Sequence, residues 1–187
     1  MKIARATIST PLGDMLALSS DDGLCALECT GPFDAQRRAP RAGPPRLSRL
    51  KRRLTSWFPP YEIEDRESRT IIRTRAWLRA YFDGASAEVG DLPLDMRGAD
   101  FEKRVWRQLL QIPAGETTSY GAIAKALSSI SASRAVGLAN GSNPIAIIVP
   151  CHRVIGSNGS LTGYGGGLDR KTWLIDHERQ WRKDGLF

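Results

Sequence analysis

The sequence predicts a mixed α+β chain, and three observations support this. Short apolar runs separated by turn residues predict strands within residues 1–30. Apolar residues recur at helical spacing in most segments after residue 45. The 187 residues exceed the usual domain length of about 150, so one or two domains are expected. We place the domains at residues 1–95 and 96–187.

The composition is that of a globular protein outside the membrane. Hydrophobic residues make up 41% and charged residues 25%, which excludes a wholly disordered chain. No apolar stretch approaches the roughly 18 residues of a membrane helix, and the first residues do not resemble a signal peptide. An odd number of cysteines, three, argues against a disulfide scaffold. The expected location is therefore cytoplasmic.

The charge balance favours a polyanionic partner. The net charge is +7, and arginine supplies 21 of the 27 basic residues. Because arginine binds phosphate in a bidentate manner, an arginine-rich basic chain is a candidate for nucleic-acid binding. The alternative is that the charge only maintains solubility.

The first domain is predicted to contain three strands followed by helices. The strands are Lys2–Ser9, Asp14–Ser19 and Leu24–Cys29, with turn residues between them. Prolines and glycines predict a loop at 31–45, and helical spacing predicts helices at 45–58 and 68–82. Residues 85–98 are predicted to form a strand and a linker.

The second domain is predicted to begin with helices. Asp100 is placed to cap a helix in which apolar residues recur every four positions. Ser119 is placed to cap a short helix at Tyr120–Leu127. A turn at 128–131 leads to a second short helix at about Ala132–Asn140, and the last helix is Leu168–Arg179. Two short helices joined by a tight turn are typical of a helix-turn-helix, although helical hairpins without ligands share this outline.

Cys151 is the candidate nucleophile. It follows Ile145–Val149, an apolar β-branched run that predicts a buried extended segment, and it precedes His152 and Arg153. Cationic neighbours favour the thiolate, and a thiolate beside a histidine is a common arrangement for nucleophilic catalysis. The alternative is that Cys151 is a small core residue.

The chain contains two histidines, His152 and His177, and either could serve as the base. Glu178 could orient that base or could be a surface carboxylate. A structural zinc site needs four ligands, and Cys25 and Cys29 lack histidine partners among the preceding or neighbouring residues. We therefore expect no metal, with both cysteines as core or partly exposed thiols.

These residues lie in motifs that resemble the O6-alkylguanine-DNA alkyltransferases, also called methylated-DNA–protein-cysteine methyltransferases. The similarity covers roughly residues 95–180, and its motifs occur in the order of the family. The motifs are Phe101–Trp106, Ile112-Pro113 through Tyr120-Gly121, Arg134–Gly137, Asn143-Pro144, Ile148–Val154, Leu161–Gly167 and Lys171 through His177-Glu178.

The resemblance implies a ribonuclease-H-like α/β domain at 1–95 and a mostly helical domain with a winged helix-turn-helix at 96–187. The second domain would bind DNA and accept the alkyl group. The substrate would be double-stranded DNA containing O6-alkylguanine, and O4-alkylthymine is a second expected lesion. The protein would flip the damaged base out of the duplex and act once, as a monomer without cofactor.

The resemblance also implies roles for individual residues. Cys151 would accept the alkyl group, His152 would be its base through a water, and Glu178 would orient His152. Asn143 would hold the turn before the nucleophile, and Tyr120 would rotate the target's 3′ phosphate. Arg134 would replace the flipped base, small residues of the second helix would enter the minor groove, and further residues would form the base pocket. The minor-groove residues are Ala132, Ala135 and Gly137, and the pocket residues are Val154, Tyr164, Gly165 and Lys171.

The main alternative is a non-catalytic DNA-binding protein that senses alkylation. Sensors of this class replace the acceptor cysteine, whereas Cys151 is present here. A transcriptional regulator would need a metal-binding module, and a thiol hydrolase would leave the helix-turn-helix without a role. The alkyl-size preference, the choice between guanine and thymine lesions and cooperativity on DNA stay open. So do the roles of Cys25, Cys29 and the basic stretch Arg37–Arg53.

Overall fold

The structure is a computed structural model that divides into two compact units, Met1–Arg97 and Gly98–Phe187. The sequence-based division was placed after residue 95. The described residues are 1–30, 33, 46–85, 88–128 and 132–183. The predicted loop at 31–45, apart from Phe33, lies outside them, as do residues 129–131 of the predicted turn and most of the basic stretch Arg37–Arg53.

The first unit contains a sheet with the strand order β3-β2-β1-β4. The strands are β1 (Lys2–Ile8), β2 (Met15–Ser19), β3 (Leu24–Cys29) and β4 (Glu62–Asp65). The first three pair antiparallel, as expected for consecutive strands joined by short turns, whereas β4 lies parallel to β1. The sequence analysis found β1 to β3 and missed β4, because β4 is short, charged and mostly exposed.

Two helices complete the first unit. The helices α1 (Arg46–Trp57) and α2 (Arg69–Phe82) confirm the predictions at 45–58 and 68–82. The buried side chains Leu50 and Leu54 of α1 belong to one apolar cluster with Ile3 of β1 and Leu18 of β2. This packing gives α1 and the sheet a shared core.

The predicted strand within 85–98 is wrong among the described residues of that segment. Only Leu94 forms a bridge, parallel to Leu24, and the flanking hydrogen bonds run from Leu24 N to Pro93 O and from Asp95 N to Leu24 O. Pro93 has no N–H to extend a ladder, which explains why pairing stops there.

The second unit is mostly helical. Its elements are α3 (Asp100–Leu109), β5 (Thr118–Ser119), α4 (Tyr120–Ala126), α5 (Ser133–Gly141), β6 (Val154–Ile155) and α6 (Leu168–Lys183). Helix α5 packs against both α3 and α4, and β5 pairs parallel to β6. The four helices confirm the predicted helical segments, whereas the two-residue strands are too short to show a periodic pattern in the sequence.

One predicted helix cap is confirmed and another is wrong. The Ser119 side chain accepts from Ala122 N at 3.1 Å and caps α4. Asp100 instead lies in the first turn of α3, and Ala99 occupies the cap position. Glu102 forms the reciprocal bond of a capping box, because its Oε2 atom accepts from Ala99 N at 3.0 Å. Within the described ranges, no helix has both the length and the apolar character needed to cross a bilayer.

Candidate active site

The segment before Cys151 is buried, as predicted, but it is turned and not extended. Val149 N donates to Ile145 O at 3.1 Å, and Ile147 adopts a φ of 70°. This left-handed conformation is unusual for a β-branched residue, so the surroundings must impose it. The Asn143 amide provides one cause, because its Nδ2 donates to Val149 O at 2.7 Å and its Oδ1 accepts from Ile145 N at 3.0 Å.

Cys151 begins a 3-10 turn, Cys151–Arg153, at the end of this segment. Its exposed fraction is only 7%, so the nucleophile candidate lies just below the surface. Its backbone oxygen accepts from Asn140 Nδ2 at 3.3 Å. Because Asn140 belongs to α5, this hydrogen bond joins the cysteine directly to the second helix of the helical pair.

A buried carboxylate lies at the centre of the site. Glu178 Oε1 accepts from His152 Nε2 at 2.8 Å and from Arg153 Nη2 at 2.9 Å. Glu178 Oε2 accepts from Arg153 Nε at 2.9 Å and from Gly115 N at 3.0 Å. All three side chains are buried, and the carboxylate is surrounded by donors. A carboxylate held in this way has little freedom to move, so it fixes the orientation of the imidazole.

The protonation states follow from this geometry. Burial would raise the pKa of the Glu178 carboxyl, but the hydrogen bonds and positive charge around it hold the pKa well below its usual range. Burial lowers the pKa of the His152 imidazole and outweighs the opposing effect of Glu178. His152 is therefore neutral at neutral pH, beside an ionised carboxylate.

The neutral imidazole must carry its hydrogen on Nε2, because an ionised carboxylate can only accept. His152 Nδ1 is then the basic nitrogen, and it is buried without a hydrogen-bond partner among the described residues. An unprotonated, oriented ring nitrogen next in sequence to a cysteine is an arrangement able to accept a proton.

Arg153 belongs to this group, although the sequence analysis treated it only as a cationic neighbour of Cys151. Besides its two bonds to Glu178, its Nη1 donates to Ile112 O at 2.5 Å. Arg153 could have been identified from its position in the Ile148–Val154 motif, directly after the buried segment. An arginine that is itself buried requires an acidic partner. The partner itself was not visible from spacing.

The structure distinguishes the two histidines. His177 stacks on Trp173 with ring centroids 4.6 Å apart and contacts Trp181 edge-on at 5.0 Å. The hydrogen bond with Glu178 belongs to His152. His177 is therefore part of an aromatic row on α6, and His152 is the base candidate.

Lys171 is a buried cation beside the nucleophile. Its Nζ donates to Val154 O at 2.6 Å and to Thr162 O at 2.7 Å, so it joins β6 to the glycine-rich loop that precedes α6. Burial lowers the pKa of the Lys171 ammonium, whereas attraction to Cys151 opposes that shift. The same attraction favours a negative charge on the Cys151 sulfur.

Two tyrosines border the same loop. Tyr120 donates to Thr162 O at 3.4 Å, and the Tyr164 ring lies edge-on to His152 with centroids 6.5 Å apart. Val154 is fully buried, and Gly165 is exposed on the loop. The predicted pocket residues thus lie around the same segment, between β6 and α6.

Apart from Tyr120, which begins α4, the predicted DNA-binding residues lie on α5 and at its start. Arg134 and Ala135 are exposed, whereas Ala132 and Gly137 are partly buried. A Cβ atom added at Gly137 would make an ordinary van der Waals contact with the Tyr120 ring, 3.8 Å away, so α5 lies beside Tyr120 here with room for a small side chain. Arg134 and Ala135 are free of the buried cluster around Glu178 and face solvent.

Among the described residues, no group of three or more histidine, cysteine, aspartate or glutamate side chains could hold a metal ion. Cys25 and Cys29 are both buried in the first unit. Burial, with the charge of Asp95, raises the pKa of the Cys25 thiol to about 12, which makes it a poor nucleophile or ligand.

Comparisons with known proteins identify what this chain is similar to. The family described as "6-O-methylguanine DNA methyltransferase, DNA binding domain" matches residues 100–180. The methylated-DNA–protein-cysteine methyltransferase of Mycolicibacterium paratuberculosis is 62% identical over 103 residues, which are 55% of this chain and 62% of that protein. The match therefore spans less than two thirds of the length of that curated relative.

Solved structures match over nearly the whole chain. The structure of Mycobacterium tuberculosis OGT in complex with DNA has a TM-score of 0.73 and 38% identity, covering 97% of this chain and 94% of that chain. The structure of the O6-methylguanine methyltransferase of the same organism has a TM-score of 0.73 and 40% identity, covering 95% of this chain and 93% of that chain. The chain belongs to the O6-methylguanine-DNA methyltransferase family.

Proposed function

We propose that this protein repairs DNA by transferring the alkyl group of O6-alkylguanine to its own Cys151. The observation on which the proposal chiefly rests is the buried His152–Glu178–Arg153 group that follows the cysteine. It orients a neutral imidazole whose Nδ1 can accept a proton, while the Lys171 cation favours a thiolate.

The transfer is a displacement at the alkyl carbon. His152 Nδ1 takes the thiol proton through a water, and the Cys151 sulfur attacks the alkyl carbon. The carbon–O6 bond breaks, its electron pair stays on the guanine, and a proton delivered at or near O6 completes the leaving base. The Tyr120 hydroxyl and the backbone N–H groups of Tyr164–Gly166 are the proposed donors to that base.

One molecule acts once in this proposal. The product is a thioether, which is stable unless a second nucleophile attacks its carbon. The two other cysteines of the chain, Cys25 and Cys29, belong to the first unit and are buried. The alkylated protein is therefore the end product, and the stoichiometry is one alkyl group per chain.

The duplex binds to the helical pair α4 and α5, with α5 in the minor groove. Charge supports this surface, because no aspartate or glutamate occurs from Thr117 to Leu168, while Lys125 and Arg134 are exposed there. O6 of a stacked guanine is out of reach of a cysteine below the protein surface, so the base is flipped out. Arg134 enters the gap that the base leaves, and minor-groove proteins commonly use such wedges.

We also propose a specific fold type for each of the two units. The sheet supports a ribonuclease-H-like first unit, because β1 to β3 pair antiparallel and β4 pairs parallel to β1. The pair α4 and α5, flanked by β5 and β6, supports a winged helix-turn-helix that acts as a monomer on DNA.

Mass spectrometry of the intact protein and its peptides, after mixing with an O6-methylguanine duplex, tests the chemistry. We expect one methyl group, on the peptide that contains Cys151, saturating at one per protein. Cys151→Ala should abolish transfer and keep DNA binding, whereas the matched control Cys25→Ala should keep both. Transfer by Cys151→Ala would refute the assignment, and tight DNA binding without methylation of the wild-type protein would support the sensor alternative.

A further inference from the structure

Leu138 is an apolar side chain that faces solvent on α5. Its exposed fraction is 72%, the largest among the big apolar residues in the described part of the chain, against 56% for Ile72 on α2. A scattered exposed leucine needs no explanation, so its position on the helix decides whether it matters.

Leu138 lies on the same face as Arg134. The two residues are four positions apart, which places them one above the other on a helix, and the exposed Gly141 continues that line. The opposite face of α5 is buried, through Val136 and Ala139, where the helix packs against α3 and α4. Leu138 therefore occupies the middle of the one exposed stripe of α5.

The exposed charged side chains of α4 and α5 are basic, and the carboxylate at the end of α5, Glu102 of α3, is partly buried and accepts from Ser142 Oγ. Arg134 on α5 and Lys125 on α4 are both exposed, and the chain from Thr117 to Leu168 contains no carboxylate side chain. A surface of this kind matches a polyanion better than an ordinary protein surface of mixed charge. The other exposed residues of α5, Ala135 and Gly141, have a small side chain or none. Leu138 and Arg134 therefore extend furthest from the helix into solvent.

We propose that Leu138 is a DNA-contacting residue that packs against the deoxyribose groups of the minor groove beside Arg134. This inference rests on the proposed function and adds an apolar component to it. Minor-groove proteins insert leucine and similar apolar side chains between base steps. The deoxyribose edges along the walls of the groove offer Leu138 a second apolar surface, which it can contact without unstacking the bases. Every nucleotide has this sugar, so the contact is independent of sequence.

The contact has a signature that distinguishes it from phosphate binding. A lysine or arginine on a phosphate releases counterions, so its loss reduces the dependence of affinity on salt. Burial of a leucine side chain releases no ions. Loss of Leu138 should therefore weaken binding by the same factor at every salt concentration.

The test compares Leu138→Ala with wild-type protein on an unmodified duplex over a series of salt concentrations. We expect the dissociation constant to rise roughly tenfold. This is the change in affinity that results when about two methylene groups of the Leu138 side chain are no longer buried against DNA. The slope of log affinity against log salt should stay the same. On a saturating O6-methylguanine duplex, the limiting transfer rate should stay within about twofold of wild type, because the residue acts in docking and not in chemistry.

Ile72→Ala is the matched control, because Ile72 is also an exposed large apolar residue and lies in the first unit. It should change none of the three quantities. An unchanged dissociation constant for Leu138→Ala, a changed salt slope, or a lower limiting rate at unchanged affinity would each overturn the inference. So would a wild-type dimer in sedimentation that Leu138→Ala dissociates without change in DNA affinity, because the stripe would then bind a second copy. Failure of wild-type protein to bind DNA would instead refute the proposed function.

Discussion

Replacing Glu178 by glutamine exchanges one carboxylate oxygen for an NH2 group and removes one negative charge. In the folded chain that carboxylate accepts four hydrogen bonds, two of them from the guanidinium of Arg153. Glutamine keeps a single acceptor and adds donors that face other donors. The principal consequence is that Arg153, only 5% exposed, is left as a buried cation without a counter-charge.

The expected loss follows from that unpaired charge. Removing one partner of a buried ion pair costs about 3–5 kcal/mol of unfolding free energy. Arg153→Met should be destabilising as well, because the buried carboxylate then loses the guanidinium charge and its two hydrogen bonds. The double variant Glu178→Gln/Arg153→Met removes both charges, so it should be more stable than the sum of the single effects by about 1–3 kcal/mol.

The assay is urea unfolding of the full chain, followed by tryptophan fluorescence, for the two single variants and the double variant. A parallel measurement of methyl transfer in one turnover reports on His152, whose orientation depends on the carboxylate. We expect Glu178→Gln to slow transfer by about 100-fold, in the range that a positioned base contributes. The double variant should recover stability without recovering that rate.

The matched control is Glu67→Gln, which removes a carboxylate paired with Arg75 at the surface of the first unit. Exposed pairs contribute about 0–1 kcal/mol, so this change should have little effect. If the effects of Glu178→Gln and Arg153→Met simply add, the two groups are not coupled, and the reasoning from the buried pair is refuted.

Three further predictions concern groups around the nucleophile. Asn143→Ala should lower the unfolding free energy by about 2–3 kcal/mol, because buried backbone groups of the turn lose their partners. The control is Asn158→Ala at an exposed position, and equal losses of stability for the two variants would contradict this prediction. Lys171→Met should slow transfer roughly tenfold by removing the cation that favours the thiolate, and no difference from the surface variant Lys103→Met would argue against it. Stability should fall as the pH is lowered from about 6.5 to 5, because the pKa of His152 is lowered by burial and the unfolded chain binds the proton first. Urea unfolding at several pH values should show a flatter dependence for His152→Gln, and an unaltered dependence would disprove this origin.

Local sequence patterns were sufficient for most of the secondary structure. Helical spacing of apolar residues located α1, α2 and α3, because a helix of a globular protein buries one stripe of its surface. A cap residue and the turn after it located α4 and α5. Ser119 was recognised as a cap because its bond to Ala122 N spans a few residues. The errors concern elements that depend on distant neighbours. The strand β4 forms only through its pairing with β1, and Glu102, not Asp100, supplies the acceptor for the Ala99 N–H.

The nucleophile candidate was also evident from the sequence. Cys151, His152 and Arg153 are consecutive, and a cysteine between an apolar run and two cationic residues is chemically distinctive. Residue spacing left the base undecided between His152 and His177, and the assignment to His152 came from the family resemblance. It also suggested an extended approach to Cys151, whereas the Asn143 side chain bends that segment.

The sequence by itself therefore determined the α+β character, the helical segments and the reactive cysteine, since these depend on residue types and on periodicity along a short length of chain. The tertiary structure shows the contact between His152 and Glu178 that the resemblance implied. Only the tertiary structure decided that Arg153 shares the carboxylate and that Leu138 faces solvent. His152 and Glu178 are far apart in sequence and meet because α6 packs against the turn at Cys151–Arg153. Contacts of this kind arise from the packing of whole elements, and no local pattern encodes them.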